Sequence, residues 1–414
     1  MKQTFRTSML VAVALGAAWA TGSVAQEIKV GGLATLEGPF AVPGQDSMRG
    51  IELALAEANY MAGGKKIVLI KASSNANPDV AVNAARKLVE QDKVDILIGP
   101  LSGSEGLSIK DYAKTQPGTT FVNGSSAAQD TTLRDPAANF YRFSTDGAQW
   151  MAGLGEYVYK NKGYKKVAVV AEDYSFPYTQ VLGFMLPFCQ AGGKVPEKFW
   201  VPIGNKDYSS VIAKLPQDVD AIYVALGGAD AINFLTQYQQ AGGNKPLVGG
   251  SITVDQTVLG SKGRIRDSVI GVPSAGPIAD SWDNAKWKAF VAAYKAKFPD
   301  GLPSPSLFAH AYYVETKAVL AALNQANGDL SGGQAKFRQA LSKLKLDTPT
   351  GMVSLDENRN AVADIFLTEV TVGQGGALFN KVIKVIPQVN QTLGTDKAKF
   401  MTLGPVSRTN PECK

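Results

Sequence analysis

Val94-Asp-Ile-Leu-Ile-Gly-Pro-Leu-Ser-Gly-Ser-Glu-Gly106 decides the fold, because an apolar run of strand length breaks abruptly into small and polar residues. Consecutive apolar residues without alternation describe a strand buried on both faces, as in a parallel sheet covered by helices. The Gly- and Ser-rich continuation describes the turn into a helix. The pattern returns in Thr119-Thr-Phe-Val-Asn-Gly-Ser-Ser-Ala-Ala-Gln129. These two stretches predict strands over Asp95–Ile98 and Thr119–Asn123. Outward from them, further short apolar runs lie at Glu27–Leu33, Ile67–Lys71, Lys166–Ala171, Phe199–Pro202, Ala221–Ala225, Pro246–Val248 and Val269–Val272.

Between the runs the apolar spacing changes to 3.6 residues. In Ser47–Tyr60, residues Met48, Ile51, Leu55 and Ala58 line one face; in Pro78–Gln91, Val80, Ala84 and Leu88 do so, with Pro78 suited to a first helical position. Helical spacing recurs in Ala148–Lys160, Tyr178–Gln190, Ser209–Leu215, Ala229–Ala241, Asn284–Phe298 and Ala309–Ala326. Strand alternating with helix predicts an α/β protein with parallel sheets flanked by helices. The alternation forms two sets, Glu27 to Phe143 and Ser144 to Val272. A helix-rich stretch over Ser281–Leu346 follows, then strand-like Val353–Leu355, Ala363–Val370 and Val382–Ile386. This layout predicts two similar lobes, residues 26–145 plus 275–350 and residues 146–274 plus 351–414. The chain would cross between them near Ser144–Gly147, Gly271–Pro277 and Thr350–Val353, where Gly, Pro and Ser are frequent.

The first 25 residues stand apart. Lys2 and Arg6 precede an apolar run from Met9 to Ala20, and Ser23-Val-Ala25 supplies small residues for cleavage after Ala25. That order reads as a secretory signal peptide, and the run is too short to span a bilayer. About 390 residues would remain, enough for two domains of ordinary size. Export makes a disulfide between the two cysteines, Cys189 and Cys413, plausible; two free thiols are the alternative. The formal net charge of +6 is scattered, which argues against nucleic-acid binding.

Enzyme signatures are missing. The single histidine, His310, lies in a helical stretch and reads as a packed or surface residue; one His with two distant Cys makes no zinc site. There is no GxSxG elbow and no GxxxxGK[ST] phosphate loop, so no catalytic residue and no cofactor is expected. The clusters after Ile98 and Val122 carry the chemistry instead. Both fall at the carboxyl ends of parallel strands, where open α/β sheets bind ligands. Small residues there expose N–H groups and hydroxyls at a helix start whose dipole favours a carboxylate. Helix capping by Ser102, Ser104 and Ser125, with no ligand, is the plainer alternative. From the second lobe, Ala171-Glu-Asp-Tyr-Ser-Phe-Pro-Tyr178 offers three aromatics and Gly249-Gly-Ser-Ile-Thr-Val-Asp255 offers Ser251 and Thr253.

Several segments in order resemble the periplasmic branched-chain amino acid-binding protein family (leucine/isoleucine/valine-binding type) of ABC transporters. They include Ile28-Lys-Val-Gly-Gly-Leu33, Gly38-Pro-Phe-Ala-Val-Pro-Gly44, Asp95-Ile-Leu-Ile-Gly-Pro-Leu-Ser102, Lys165-Lys-Val-Ala-Val-Val-Ala-Glu-Asp173 and Gly351-Met-Val-Ser-Leu-Asp-Glu-Asn358. The resemblance spans the mature chain and implies a type I periplasmic binding fold with a three-segment hinge. It implies a monomer that delivers a small carboxylate ligand to ABC permease subunits. By the same resemblance, Gly103 and Ser104 with Ser125, Ser126 and Ala127 hold the carboxylate, and Phe176 lies across the ligand.

Two positions depart from the family pattern. Amino-acid binders carry an acidic residue where this chain has Ser251, and often a tyrosine where it has Gly227. A buried ammonium without a counter-charge is costly. The expected ligand is therefore a carboxylate in which the α-amino group is dispensable, such as an aromatic or aliphatic acid. Presentation of that ligand to a membrane chemoreceptor and an exported α/β enzyme are the alternative functions.

Overall fold

The computed structural model describes residues 27–261 and 265–413; the expected signal peptide lies outside the described residues. In chain order the strands are β1 (Ile28–Thr35), β2 (Met61–Ala62), β3 (Lys65–Ser74), β4 (Ile96–Ile98), β5 (Thr120–Val122) and β6 (Phe140–Tyr141). They are followed by β7 (Val167–Glu172), β8 (Lys198–Val201), β9 (Ala221–Ala225), β10 (Leu247–Gly249) and β11 (Pro273–Gly276). The last are β12 (Lys345–Thr348), β13 (Gly351–Leu355), β14 (Ala361–Val372) and β15 (Leu378–Val389).

The first sheet has the order β2-β3-β1-β4-β5-β6 and the second β10-β9-β7-β8. Apart from the short β2–β3 hairpin, neighbours in both run parallel, for instance Val30 opposite Ile96 and Val169 opposite Tyr223. The central strands are buried on both faces, as their unbroken apolar runs require. Ile96 and Ile98 face the helices Ala41–Glu57 and Leu307–Gln325, while Leu97 faces Ala81, Ala85 and Ile109 on the opposite side. In the second sheet Val169 and Tyr223 share a core with Phe184, and Val170 and Val224 pack against Phe234 and Leu235. The architecture is therefore two similar α/β lobes with parallel sheets flanked by helices.

A third, antiparallel sheet, β11-β14-β13-β12 with β15 on β14, gathers the chain's returns. Where the chain leaves β6, Arg142 is fully buried among polar groups. Its Nε donates to Asn360 Oδ1 (2.6 Å), Nη1 to Ala128 O (2.7 Å) and Nη2 to Thr132 Oγ1 (2.6 Å), with Asp146 at 3.8 Å. Gln149 Nε2 donates to Ala361 O and Val389 O, so the first crossing is stitched to the last segment. Glu315 accepts from the Phe143 and Ser144 N–H groups at 3.0 and 2.7 Å. Satisfied polar networks of this kind hold a crossing in one geometry.

Some boundaries differ from expectation. Val269–Val272, expected as a strand, ends a helical turn at Val269, and β11 starts only at Pro273. Gly271, at φ 80°, reverses the backbone between the two. The helix expected from Tyr178 begins at Ser175, which brings Phe176 into its first turn. Cys189 and Cys413 form a disulfide that ties the C-terminal segment to the helix Ser175–Gln190. His310 is buried, its Nε2 3.1 Å from Thr350 Oγ1, and burial pushes its pKa down to about 3.

Candidate functional site

The carboxyl ends of the two parallel sheets face one another. After β4, Ser102 caps the helix Gly103–Lys114: its Oγ accepts from Glu105 N (3.4 Å) while Glu105 Oε2 accepts from Ser102 N (3.1 Å). This reciprocal capping box leaves the Gly103 and Ser104 N–H groups without intrahelical acceptors. After β5, Asn123 Nδ2 donates to Ser126 O (2.9 Å) and Ser144 Oγ (3.0 Å), which curls the loop so that Ser125 lies beside Leu101. After β7, the helix Ser175–Gln190 points its N-terminus back across the cleft.

The two helix starts meet. Ser104 Oγ lies 3.1 Å from Ser175 Oγ. Gly103 abuts Phe176 so closely that a Cβ there would sit 2.8 Å from Phe176 Cβ and 2.9 Å from its backbone N. Both helices direct the positive ends of their dipoles at this junction, so an anion held there lowers the energy of the closed arrangement.

Beside the junction the two walls nearly meet, leaving a small cavity of about 10 Å³, room for about one water molecule. From the first lobe it is lined by Phe40, Leu101, Gly103, Ser125 and Phe308, and from the second by Trp150, Tyr174, Phe176 and Ile252. Phe176 meets Trp150 edge-on at 5.4 Å between ring centroids, and Tyr174 lies 6.2 Å from both Phe40 and Phe176. Its polar groups are Ser125 and the start of the helix Gly103–Lys114 from the first lobe and the Tyr174 hydroxyl from the second. The chemistry of this lining suits a flat apolar body ending in a carboxylate, which would enter only as the walls part.

Of the residues expected at the site, Gly103, Ser125 and Phe176 line this cavity together, and Ser104 sits at its rim against Ser175. Ser126, Ala127 and Ser251 do not line it. Ser126 is buried under the helix at Gly106, and the Ala127 carbonyl accepts from Gly147 N at 2.8 Å. Ser251 Oγ accepts from Gln180 Nε2 at 2.5 Å, within the second lobe. The wall position nearby belongs to Ile252. A Cβ at Gly227 would lie 2.8 Å from Ile252 Cδ1 and 3.3 Å from Phe40, so apolar side chains fill the volume a larger residue at 227 would take.

Sequence reasoning missed Phe40, Leu101, Trp150, Ile252 and Phe308 as wall residues. Phe40 and Ile252 belong to loops singled out above for other reasons. Trp150 follows the first crossing directly. Phe308 gives no local signal, because a first-turn helix residue reads as core.

Acidic groups also gather here. Glu105 is buried and its carboxyl is raised by desolvation, against bonds from Ser102 and Thr35. In the second lobe, burial raises Glu172 well above the usual carboxylate range and Asp230 up to about 6. Among the described residues no group of three or more His, Cys, Asp or Glu side chains is placed to hold a metal ion. Among them also, no helix is long and apolar enough to cross a membrane.

A family model described as periplasmic binding protein matches residues 27–377. A Leu/Ile/Val-binding protein homologue from Brucella melitensis is 24% identical over 384 residues, covering 91% of this chain and 95% of its own. A solved ABC-transporter solute-binding protein from Rhodopseudomonas palustris, in complex with 3,4-dihydroxybenzoic acid, superposes with a TM-score of 0.81 at 27% identity, covering 89% of this chain and 99% of its own. A branched-chain amino acid transporter substrate-binding protein from Streptococcus pneumoniae, in complex with isoleucine, shares the fold with a TM-score of 0.72 at 22% identity, covering 87% of this chain and 99% of its own.

Proposed function

The chain belongs to the periplasmic binding protein family, and on that premise we propose that it captures a small aromatic carboxylate for an ABC importer. Its general role, the substrate-binding component of an ABC transporter, follows from the family. The ligand class rests on one observation: among the described residues, the start of the helix Gly103–Lys114 and Ser125 lie against a lining that is mostly aromatic. With the walls moved apart to admit it, a carboxylate bound to those N–H groups and hydroxyls, with its ring between Phe176 and Trp150 on one side and Phe40 and Phe308 on the other, satisfies both halves of the site. Ser104 and Phe176 then belong to the binding set, with Ser126, Ala127 and Ser251 supporting it from behind the wall.

Closure works as follows. The lobes, residues 26–145 plus 275–350 and 146–274 plus 351–414, swing about the three crossings. The carboxylate offsets the repulsion between the two converging helix N-termini, so the bound state is the closed one. The closed surface is what the permease subunits read. The exported chain, cleaved after Ala25, acts as a monomer and performs no catalysis.

Thermal shift against benzoate, 4-hydroxybenzoate, 3,4-dihydroxybenzoate, leucine, isoleucine and glutamate tests this reading, because a ligand bound only to the folded state raises its melting temperature. Aromatic acids are expected to raise it in a concentration-dependent way. Stabilisation by leucine or isoleucine with none by any aromatic acid would overturn the proposed class.

A further inference from the structure

Glu172 is the last residue of β7 and is fully buried, directly behind the cavity wall. Its Oε1 accepts from Gly227 N at 3.0 Å, and Gly227 packs directly on Ile252 and Phe40, both wall residues. Tyr174, a third wall residue, turns its hydroxyl toward the Glu172 carboxyl. The second carboxyl oxygen, Oε2, makes no well-formed hydrogen bond, the Tyr174 hydroxyl being its neighbour. A buried polar atom without a well-formed bond costs about 1–3 kcal/mol, so a carboxyl–hydroxyl pair of this kind, with Tyr174 on the cavity wall, points to a group that arrives with the ligand.

We propose that Glu172 is a specificity-determining residue which, with the Tyr174 hydroxyl, pairs with a hydroxyl group on the ligand's ring and so selects hydroxylated aromatic acids over benzoate. This rests on the aromatic-carboxylate reading above. A phenolic hydroxyl both donates and accepts, and it complements a carboxyl in its neutral form. Burial and the neighbouring Asp230 both favour that form for Glu172. An ammonium would instead demand the ionised carboxylate.

The experiment is calorimetric titration of the whole mature chain with benzoate, 3-hydroxybenzoate, 4-hydroxybenzoate and 4-(aminomethyl)benzoate. Each ligand is run on the wild type, Glu172→Leu and Tyr174→Phe. The wild type is expected to bind at least one hydroxybenzoate tenfold or more tighter than benzoate. In both variants that ratio is expected to fall to within threefold of one. Tyr174→Phe keeps the ring, so it decides the matter should Glu172→Leu fail to fold. Equal affinity for benzoate and both hydroxybenzoates in the wild type overturns the inference and leaves the carboxylate reading standing. A ratio unchanged in the variants, or a Glu172-dependent gain shown only by the aminomethyl acid, also overturns it. Absence of binding by all four acids removes both readings together.

Discussion

Gly103→Ala adds one methyl group at the point where the lobes touch. In the closed arrangement that carbon would lie 2.8 Å from Phe176 Cβ, 2.9 Å from Phe176 N and 3.1 Å from its Cα. Ordinary carbon contacts are about 3.5–4.0 Å, and two of these three atoms are backbone, which no rotamer change can move aside. The second lobe must therefore back away by roughly half an ångström, lengthening the contacts across the cavity. Overpacking of this kind costs about 1–3 kcal/mol, which corresponds to a dissociation constant raised about 5- to 150-fold. In the open, ligand-free chain the same methyl group meets no opposing lobe. It sits at the first residue of a helix, where alanine is at least as well suited as glycine, so ligand-free stability should hold or rise slightly. Calorimetric titration with 4-hydroxybenzoate reads the first quantity and differential scanning calorimetry without ligand reads the second. Affinity within about twofold of wild type would show that binding does not require the contact between Gly103 and Phe176. A large drop in ligand-free melting temperature would show that this contact is part of the resting fold.

Removing both cradle hydroxyls with Ser104→Ala and Ser125→Ala should cost about 1 kcal/mol of binding each, with little change in ligand-free urea unfolding; a large stability loss would support a purely capping role. Arg142→Met takes the charge out of a fully buried network and leaves the buried Asp146 without its counter-charge, so urea unfolding should show a loss of about 3–5 kcal/mol. Cys413→Ser opens a loop of 224 residues, for which chain entropy sets a ceiling of about 5 kcal/mol, read as a lower unfolding midpoint under oxidising conditions. Burial holds the Asp230 carboxyl at about 6, above its ordinary 3.8. Between those pH values the folded chain keeps a proton that the unfolded chain has released. Stability therefore falls as pH rises through that window, by on the order of 3 kcal/mol, and Asp230→Asn should remove that component of the pH profile.

Most of the fold was legible locally. Runs such as Val94–Ile98 and Lys166–Val170 announce strands buried on both faces, and they sit in the two parallel sheets with helices on each side. Capping chemistry was equally local: Ser102 and Glu105 are three residues apart, and that spacing alone suffices for the box they form. Boundaries failed where one residue decides a reversal, as at Gly271, because periodicity carries no information about a single dihedral angle.

The site divides along the same line. The sequence by itself determined that small-residue turns follow β4 and β5, because a parallel strand feeding a helix must end in such a turn, and a helix start attracts anions wherever it occurs. Only the tertiary structure decided what surrounds that helix start. Phe40 and Phe308 share one wall, Ile252 fills the space left by Gly227, and Glu172 is left with one oxygen that makes no well-formed hydrogen bond. The reason is that periodicity specifies which face of an element is buried, whereas the partner it is buried against depends on how the fold brings distant segments together. Ser251 shows the consequence: its place after β10 was readable, but its bond to Gln180, and hence its absence from the cavity wall, exists only once the second lobe has closed on itself.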